Sequence, residues 1–247
     1  MVVEIEMKLY ETDGFTIEKE IGKGRVALLP IGATEIHGPH LPCGTDTIIA
    51  ERLCDMLSDE IEAVILPPIH YSQVWSLGDF TGCIGISSEL LTKMITELLL
   101  EIKRNGFELI VIVNTHLGNL NIIKEATRTA YRLCPDIKVL YFSYPGATKK
   151  IAEVMDKSNF HGGFIHADEI ETSYMLYLSP ENVDMGRALN ETPVVPPLID
   201  VTPTRWSEFT DNAVLGNATA ATAQKGKAVI DCVINEMVHL IQIAVKG

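Results

Sequence analysis

Four short, mainly apolar runs recur along the chain, at residues 25–30 (RVALLP), 63–66 (AVIL), 109–113 (LIVIV) and 138–142 (KVLYF). Runs this brief and this uniform predict strands buried on both faces. Between them, polar and apolar positions mix with helical periodicity over residues 46–58, 88–105 and 119–133. In the second of these stretches Leu90, Met94, Leu98 and Ile102 fall four apart and predict one apolar stripe, which Asn105-Gly106 brings to a stop. The alternation predicts an α/β fold: a three-layer sandwich with a mostly parallel central sheet and helices on both faces. Further helices are expected at 167–178, ending before Pro180, and at 218–245, with a Pro-, Asn- and Asp-rich excursion over 181–203. Neither a repeat nor a linker interrupts the pattern, so one domain over residues 1–247 is expected.

In open α/β sheets ligands gather at the carboxyl ends of strands. The first run delivers IGATEIHGPHLPCGTD (residues 31–46), where Glu35 and His37 stand two apart and project to one side of an extended backbone, with Asp46 close behind. The third run delivers Asn114-Thr115-His116-Leu117-Gly118-Asn119. A third polar group, His166 through Ser173 (HADEIETS), opens a predicted helix. Carboxylates and imidazoles set together at strand ends point to a divalent cation. Asp46 also suits the N-cap of the helix after it, but beside Glu35 and His37 the ligand reading is the better one. Asn114 and Asn119 read as turn residues. His40, next to prolines, reads as a loop support. His70, His161 and His239 read as ordinary histidines, and Cys43 as a half-buried bystander.

Composition narrows the partners. With 20 basic and 33 acidic residues the net charge is −13, which disfavours nucleic acid and anionic lipid. No basic segment leads into an apolar run at the start, and no uninterrupted apolar run approaches spanning length, so neither a secretory signal nor a membrane partner is expected. Five scattered cysteines without a CxxC suggest reduced thiols in the cytoplasm. A G-x-S-x-G elbow, a Walker A loop and a G-x-G-x-x-G element are all missing, which leaves serine hydrolase and nucleotide-binding readings without an anchor.

Four motifs then fall into a known order. The segment LLPIGATEIHGPHLPCGTDT resembles the signature of the creatininase (creatinine amidohydrolase) family, roughly PxGSxExHGxHLPxxTD. VNTHLGN resembles the family's VNGHGGN, HADEIETS its HAGExETS, and NATAATAQKGK its closing ATAxKGK. The resemblance implies two divalent ions per chain, with zinc, manganese or iron all compatible. Glu35, Asp46 and His116 would hold one; His37 and a bridging Asp46 would hold the other. An acidic ligand that creatininase carries two residues after the His116 position is Gly118 here, so Glu171 is taken to complete the second site, with Glu169 as its rival. Charges then balance: +4 from the ions against −3 from Glu35, Asp46 and Glu171 and −1 from a bridging hydroxide. That hydroxide would attack a polarised carbonyl, and His166, at the family's catalytic histidine, would protonate the leaving amine.

The expected function is cleavage of a cyclic or linear amide in a small-molecule substrate. The alternatives are a hydrolase that opens a cyclic polyol diketone at a C–C bond (3-dehydro-scyllo-inosose hydrolase type) and a non-catalytic metal-binding subunit suggested by Gly118. The family's EHxxFPGT loop is replaced by residues 75–82 (WSLGDFTG), where Trp75 or Phe80 would wall the pocket; this divergence points away from creatinine itself. By resemblance the chain would assemble as a homo-oligomer, a hexamer.

Overall fold

Each of the four apolar runs supplies one strand of a single parallel sheet. In the computed structural model, which describes residues 7–155 and 166–246, these are β1 (Val26–Ile31), β2 (Ala63–Ile65), β3 (Leu109–Asn114) and β4 (Lys138–Phe142), ordered β2-β1-β3-β4. Leu28 lies opposite Ile65 on one side and Val111 on the other, and Val111 lies opposite Leu140.

Side chains alternate across such a sheet, so each strand feeds two cores. Val26, Leu28, Val111 and Val113 enter one core with α2 (Thr45–Ser58), α6 (Glu169–Leu178) and α7 (Ala223–Lys246). Ala27, Leu29, Ile31, Ile110 and Ile112 enter the other with α1 (Gly14–Ile21), α3 (Ser88–Arg104) and α4 (Leu120–Leu133). The last helix, α5 (Ala147–Val154), lies on α7. The three-layer α/β sandwich expected from the alternation is therefore present.

The connections place the site. The chain leaves β1 through α2 on one face to reach β2, then passes back beyond β1 through α3 on the opposite face to reach β3. The carboxyl ends of β1 and β3 are thus a topological switch point, where the two loops diverge and leave a crevice.

Local chemistry explains where the observed elements depart from the expected ones. The stripe on α3 is turned by one residue: Leu91, Ile95 and Leu99 are buried, while Leu90 is largely exposed. All these positions are apolar, so a single fourfold series could not decide which of two adjacent stripes faces inward. Helix α6 starts two residues later than expected because the Asp168 carboxylate caps it, accepting from the backbone N–H groups of Ile170 and Glu171. Helix α7 starts at Ala223 rather than 218: Thr222 Oγ1 accepts the Lys225 N–H, and residues Ala218–Ala220 form a separate short turn. Helices α1 and α5 were not foreseen; Asp13 caps the first.

Helix α7 bears on the expectation drawn from uninterrupted runs. Its 24 residues include an 18-residue window with a mean hydropathy of 1.6, sufficient for a membrane span by length and composition. Its apolar stripe, from Val229 to Ile241, is instead buried in the core beside α6. The two helices cross so closely that a Cβ on Gly226 would stand 1.9 Å from the Ser173 carbonyl oxygen.

Candidate functional site

The loop after β1 is folded back on itself. Glu35 N–H donates to the Cys43 carbonyl at 2.9 Å, His37 bridges to Leu41, and Gly38 makes the turn with a φ of 63°. Glu35 and His37 consequently face the same way, toward the start of α2. Asp46 is already inside α2, whose N-cap is Gly44 with no side-chain capping bond, so the capping explanation for Asp46 fails. Thr115 locks the second strand end against the first by donating Oγ1–H to the Asp46 carbonyl at 2.6 Å.

Beneath these loops Asn119 is fully buried. Its Nδ2 lies 3.1 Å from the Gly32 carbonyl, from Ser72 Oγ and from Asn114 Oδ1, while Asn114 Nδ2 donates to the His116 carbonyl at 2.8 Å. The two asparagines are therefore more than turn residues: they tie three loops into one floor. His40 is a buried support, as expected, with Nε2 2.8 Å from Thr172 Oγ1 on α6. His70 and His239 are exposed, and His161 lies outside the described residues.

The histidine tautomers follow from backbone carbonyls, which only accept. His37 Nδ1–H donates to the Glu35 carbonyl at 3.1 Å, His116 Nε2–H to the Gln73 carbonyl at 2.7 Å, and His166 Nε2–H to the Ile36 carbonyl at 2.8 Å. Each ring thus turns its other nitrogen, and that lone pair, toward the same carboxylates. His116 Nδ1 is 3.3 Å from Glu35 Oε1 and 3.1 Å from Asp46 Oδ2; His37 Nε2 is 3.4 Å from Asp46 Oδ1 and 3.6 Å from Glu171 Oε2. His166 Nδ1 is 3.8 Å from Glu35 Oε1. Two compact groups result, Glu35–Asp46–His116 and His37–Asp46–Glu171, with donor atoms in each within 4.8 Å of one another; a third joins Glu35, His37 and His166.

Such a cluster of lone pairs demands positive charge. His37 Nε2 and Asp46 Oδ2 are buried without any hydrogen-bond partner. Burial pulls His37 down, but the Asp46 and Glu171 carboxylates outweigh it and raise its pKa to about 10. His116 is raised well above its ordinary value against the same burial, by Glu35 and Asp46. Burial lifts Glu171 to about 8, with His37 opposing. His166 goes the other way, to about 4, through burial and then the charge on His37. Imidazole nitrogens held by N–H donation on their far side, facing carboxylates across a short gap, form a donor set suited to divalent cations such as zinc or manganese.

The late start of α6 sends its two glutamates in different directions. His166 and Ala167 lie outside it, and Ala167 takes a φ of 48°. Glu171 turns back to accept the Ala167 N–H at 2.6 Å and faces His37. Glu169 points to Lys225 of α7, 2.5 Å away. Gly118 fits against the His116 ring, since a Cβ there would stand 2.4 Å from Nε2.

A cavity of about 450 Å³ opens over the cluster; its lining includes Gln73, Leu77, Thr115, Leu117, Asp200 and Trp206. Neither Trp75 nor Phe80 lines it. Trp75 instead lies under the Arg205 guanidinium, 4.3 Å from carbon to ring centre, and Trp206 walls the site edge-on to His166 at 5.1 Å. Only the scarcity of tryptophan could have flagged Trp206. Gln73 acts through its main chain, which no side-chain pattern reveals.

Comparison with known proteins agrees with this geometry. The profile of the Creatininase family, described as creatinine amidohydrolase, matches residues 11–241. Creatinine amidohydrolase of Pseudomonas putida is 29% identical over 230 residues, covering 88% of each chain. Mycofactocin precursor peptide peptidase of Mycobacterium ulcerans is 30% identical, covering 87% of this chain and 83% of that protein. The 3-dehydro-scyllo-inosose hydrolase of Thermotoga maritima is 23% identical over 92% of this chain and 79% of its own length. Among solved structures, a creatininase mutant complexed with creatine superposes with a TM-score of 0.88 at 25% identity, over 98% of this chain and all of that one. A manganese creatininase and a mutant of Zn-Zn type each give 0.87 at 25% identity, over 96% and 97% of this chain and 98% of each of theirs. Motif order, sheet topology and a profile match over nearly the whole length coincide, and the chain belongs to the creatininase family of hydrolases.

Proposed function

We propose that this protein hydrolyses an amide bond in a small polar substrate with the help of two divalent cations. The observation that carries the reading is the position of Asp46, which turns Oδ1 to His37 and Oδ2 to His116 and so belongs to both ligand groups. Glu35, Asp46 and His116 would hold one cation; His37, Asp46 and Glu171 the other. When bound there, such cations would make a water more acidic and would polarise a carbonyl.

The rest of the chemistry belongs to the chain. His166 has its Nε2–H committed to Ile36 and a pKa near 4, so at neutral pH its Nδ1 holds no proton. That atom accepts a proton from the attacking water and returns it to the departing nitrogen. Burial beneath Trp206 keeps bulk water from short-circuiting the transfer. The cavity is of small-ligand size and mixes apolar walls, Val74, Leu77, Leu117 and Trp206, with many polar groups, which suits a compact polar substrate.

Amide cleavage ranks ahead of diketone opening because two of the relatives are named for it, an amidohydrolase and a peptide peptidase. Glu171 supplies a carboxylate in place of the one missing at Gly118, which removes the motive for an inert metal-binding subunit. A hexamer remains part of the proposal, to be measured by analytical ultracentrifugation. The test of function is metal analysis coupled to an amide panel. Two ions per chain are expected, with hydrolysis lost on chelation and restored by zinc or manganese. At most one ion, with no hydrolysis at any metal loading, sinks the reading.

A further inference from the structure

A second, smaller cavity of about 170 Å³ adjoins the reaction pocket, and the mechanism above leaves it unused. It shares Thr115, Leu117 and Glu171 with the main pocket and is closed at its other end by Ser143, Tyr144 and Tyr174. Ser143 and Tyr144 follow β4 directly, at the third carboxyl strand end of the same sheet edge. Ser143 Oγ and Tyr144 Oη are both buried, and neither has a hydrogen-bond partner. Tyr144 stands at a φ of 49°, a conformation that aromatic residues adopt only under constraint, and its ring stacks on Tyr174 at 5.2 Å. Orphaned hydroxyls at a strained residue are costly to keep in a fold unless something polar meets them.

We infer that this chamber is a substrate subsite, in which Ser143 Oγ and Tyr144 Oη bind an uncharged hydrogen-bonding group, a hydroxyl or carboxamide, on the acyl side of the scissile bond. The inference rests on the hydrolase reading. Its polarity follows from the lining: no Lys or Arg is among the described residues around the chamber, so an anion finds no counter-ion there, and the one carboxylate, Glu171, is assigned by the hydrolase reading to a cation and so is not left for an ammonium. Its orientation follows from position. His166, which serves the departing nitrogen, stands with Glu35 and Trp206 in the main pocket; none of these three lines the chamber, which opens beside Glu171 and Thr115. The acyl part of the substrate therefore reaches the chamber. Its volume admits a tail of a few non-hydrogen atoms.

Two hydroxamates, whose head groups chelate divalent cations, test this by calorimetry on the cation-loaded protein: 3-hydroxypropionohydroxamate and its isostere butyrohydroxamate. The hydroxyl-tailed compound is expected to bind about tenfold more tightly, the effect of one well-made buried hydrogen bond. Tyr144→Phe should abolish that preference and change butyrohydroxamate affinity less than twofold. Ser143→Ala, a smaller perturbation of the fold, should reduce the preference in the same sense. Equal affinities in the unaltered protein, or a preference that survives both substitutions, overturn the subsite while leaving the metal reading intact. Failure of both compounds to show cation-dependent binding overturns the metal reading and the subsite with it.

Discussion

The two halves of the cluster share Asp46 but live in different surroundings. In the half toward α6, His37 is fully buried and lines no part of the cavity, while Glu171 reaches the cavity and is fastened by the Ala167 N–H. The half toward β3 meets the cavity: the His116 side chain keeps 11% exposure and rests on the carbonyl of Gln73, a wall residue. One carboxylate therefore couples a group with one fully buried member, His37, to a group whose three members all line the cavity.

The largest test breaks both halves at once. Asp46→Asn removes the charge common to the two groups and should abolish stoichiometric metal binding, with activity falling by roughly a thousandfold or more; retention of two tightly bound ions in plasma emission analysis would refute the sharing. Breaking only the open half is the next step. Gly118→Ala sets a methyl group against the His116 ring and the Gln73 carbonyl. The expected outcome is a loss of about 10- to 100-fold in affinity for one ion, with the other unaffected.

The half toward α6 depends on how that helix lies on α7. Gly226→Ala should push the helices apart and cost about 1–3 kcal/mol, seen as a drop of several degrees in Tm. The smallest effect is a pH dependence of the chelated protein. The pKa of His37 is raised in the fold, so its charged form contributes stability that is complete below the unfolded value near 6.5 and disappears as pH rises through about 10. Thermal stability of chelated protein should therefore decline between pH 7 and 10, whereas cation-loaded protein should hold steady over the same range, because the cations replace the proton.

The difference between the halves also explains what the sequence disclosed. Glu35, His37, Asp46 and His116 were legible because each stands at the end of an apolar strand or the start of a helix, where spacing alone predicts convergence. The sheet was legible for the same reason: β3, with its unbroken Leu109–Val113 run, admits no other use. Glu171 was harder, because its direction depends on whether the helix begins before or after Asp168, and a cap is a matter of one residue. The α3 stripe failed through excess of apolar candidates. Trp206 failed because its loop reaches the site from far along the chain, without periodicity to announce it. Gln73 acts through its main chain, and Ser143 and Tyr144 stand out only because their hydroxyls are buried without partners; neither property leaves a mark in residue order.

The supports under the three imidazoles have an evolutionary consequence. They are peptide oxygens of residues 35, 36 and 73, and two belong to the very loop that carries a proposed ligand. Substitution replaces side chains, not amide groups. Drift at Gln73, which is part of the cavity wall, can therefore remodel what the pocket accepts while the aim of the donor atoms is inherited unchanged, a route by which one scaffold diversifies its substrates without rebuilding its centre.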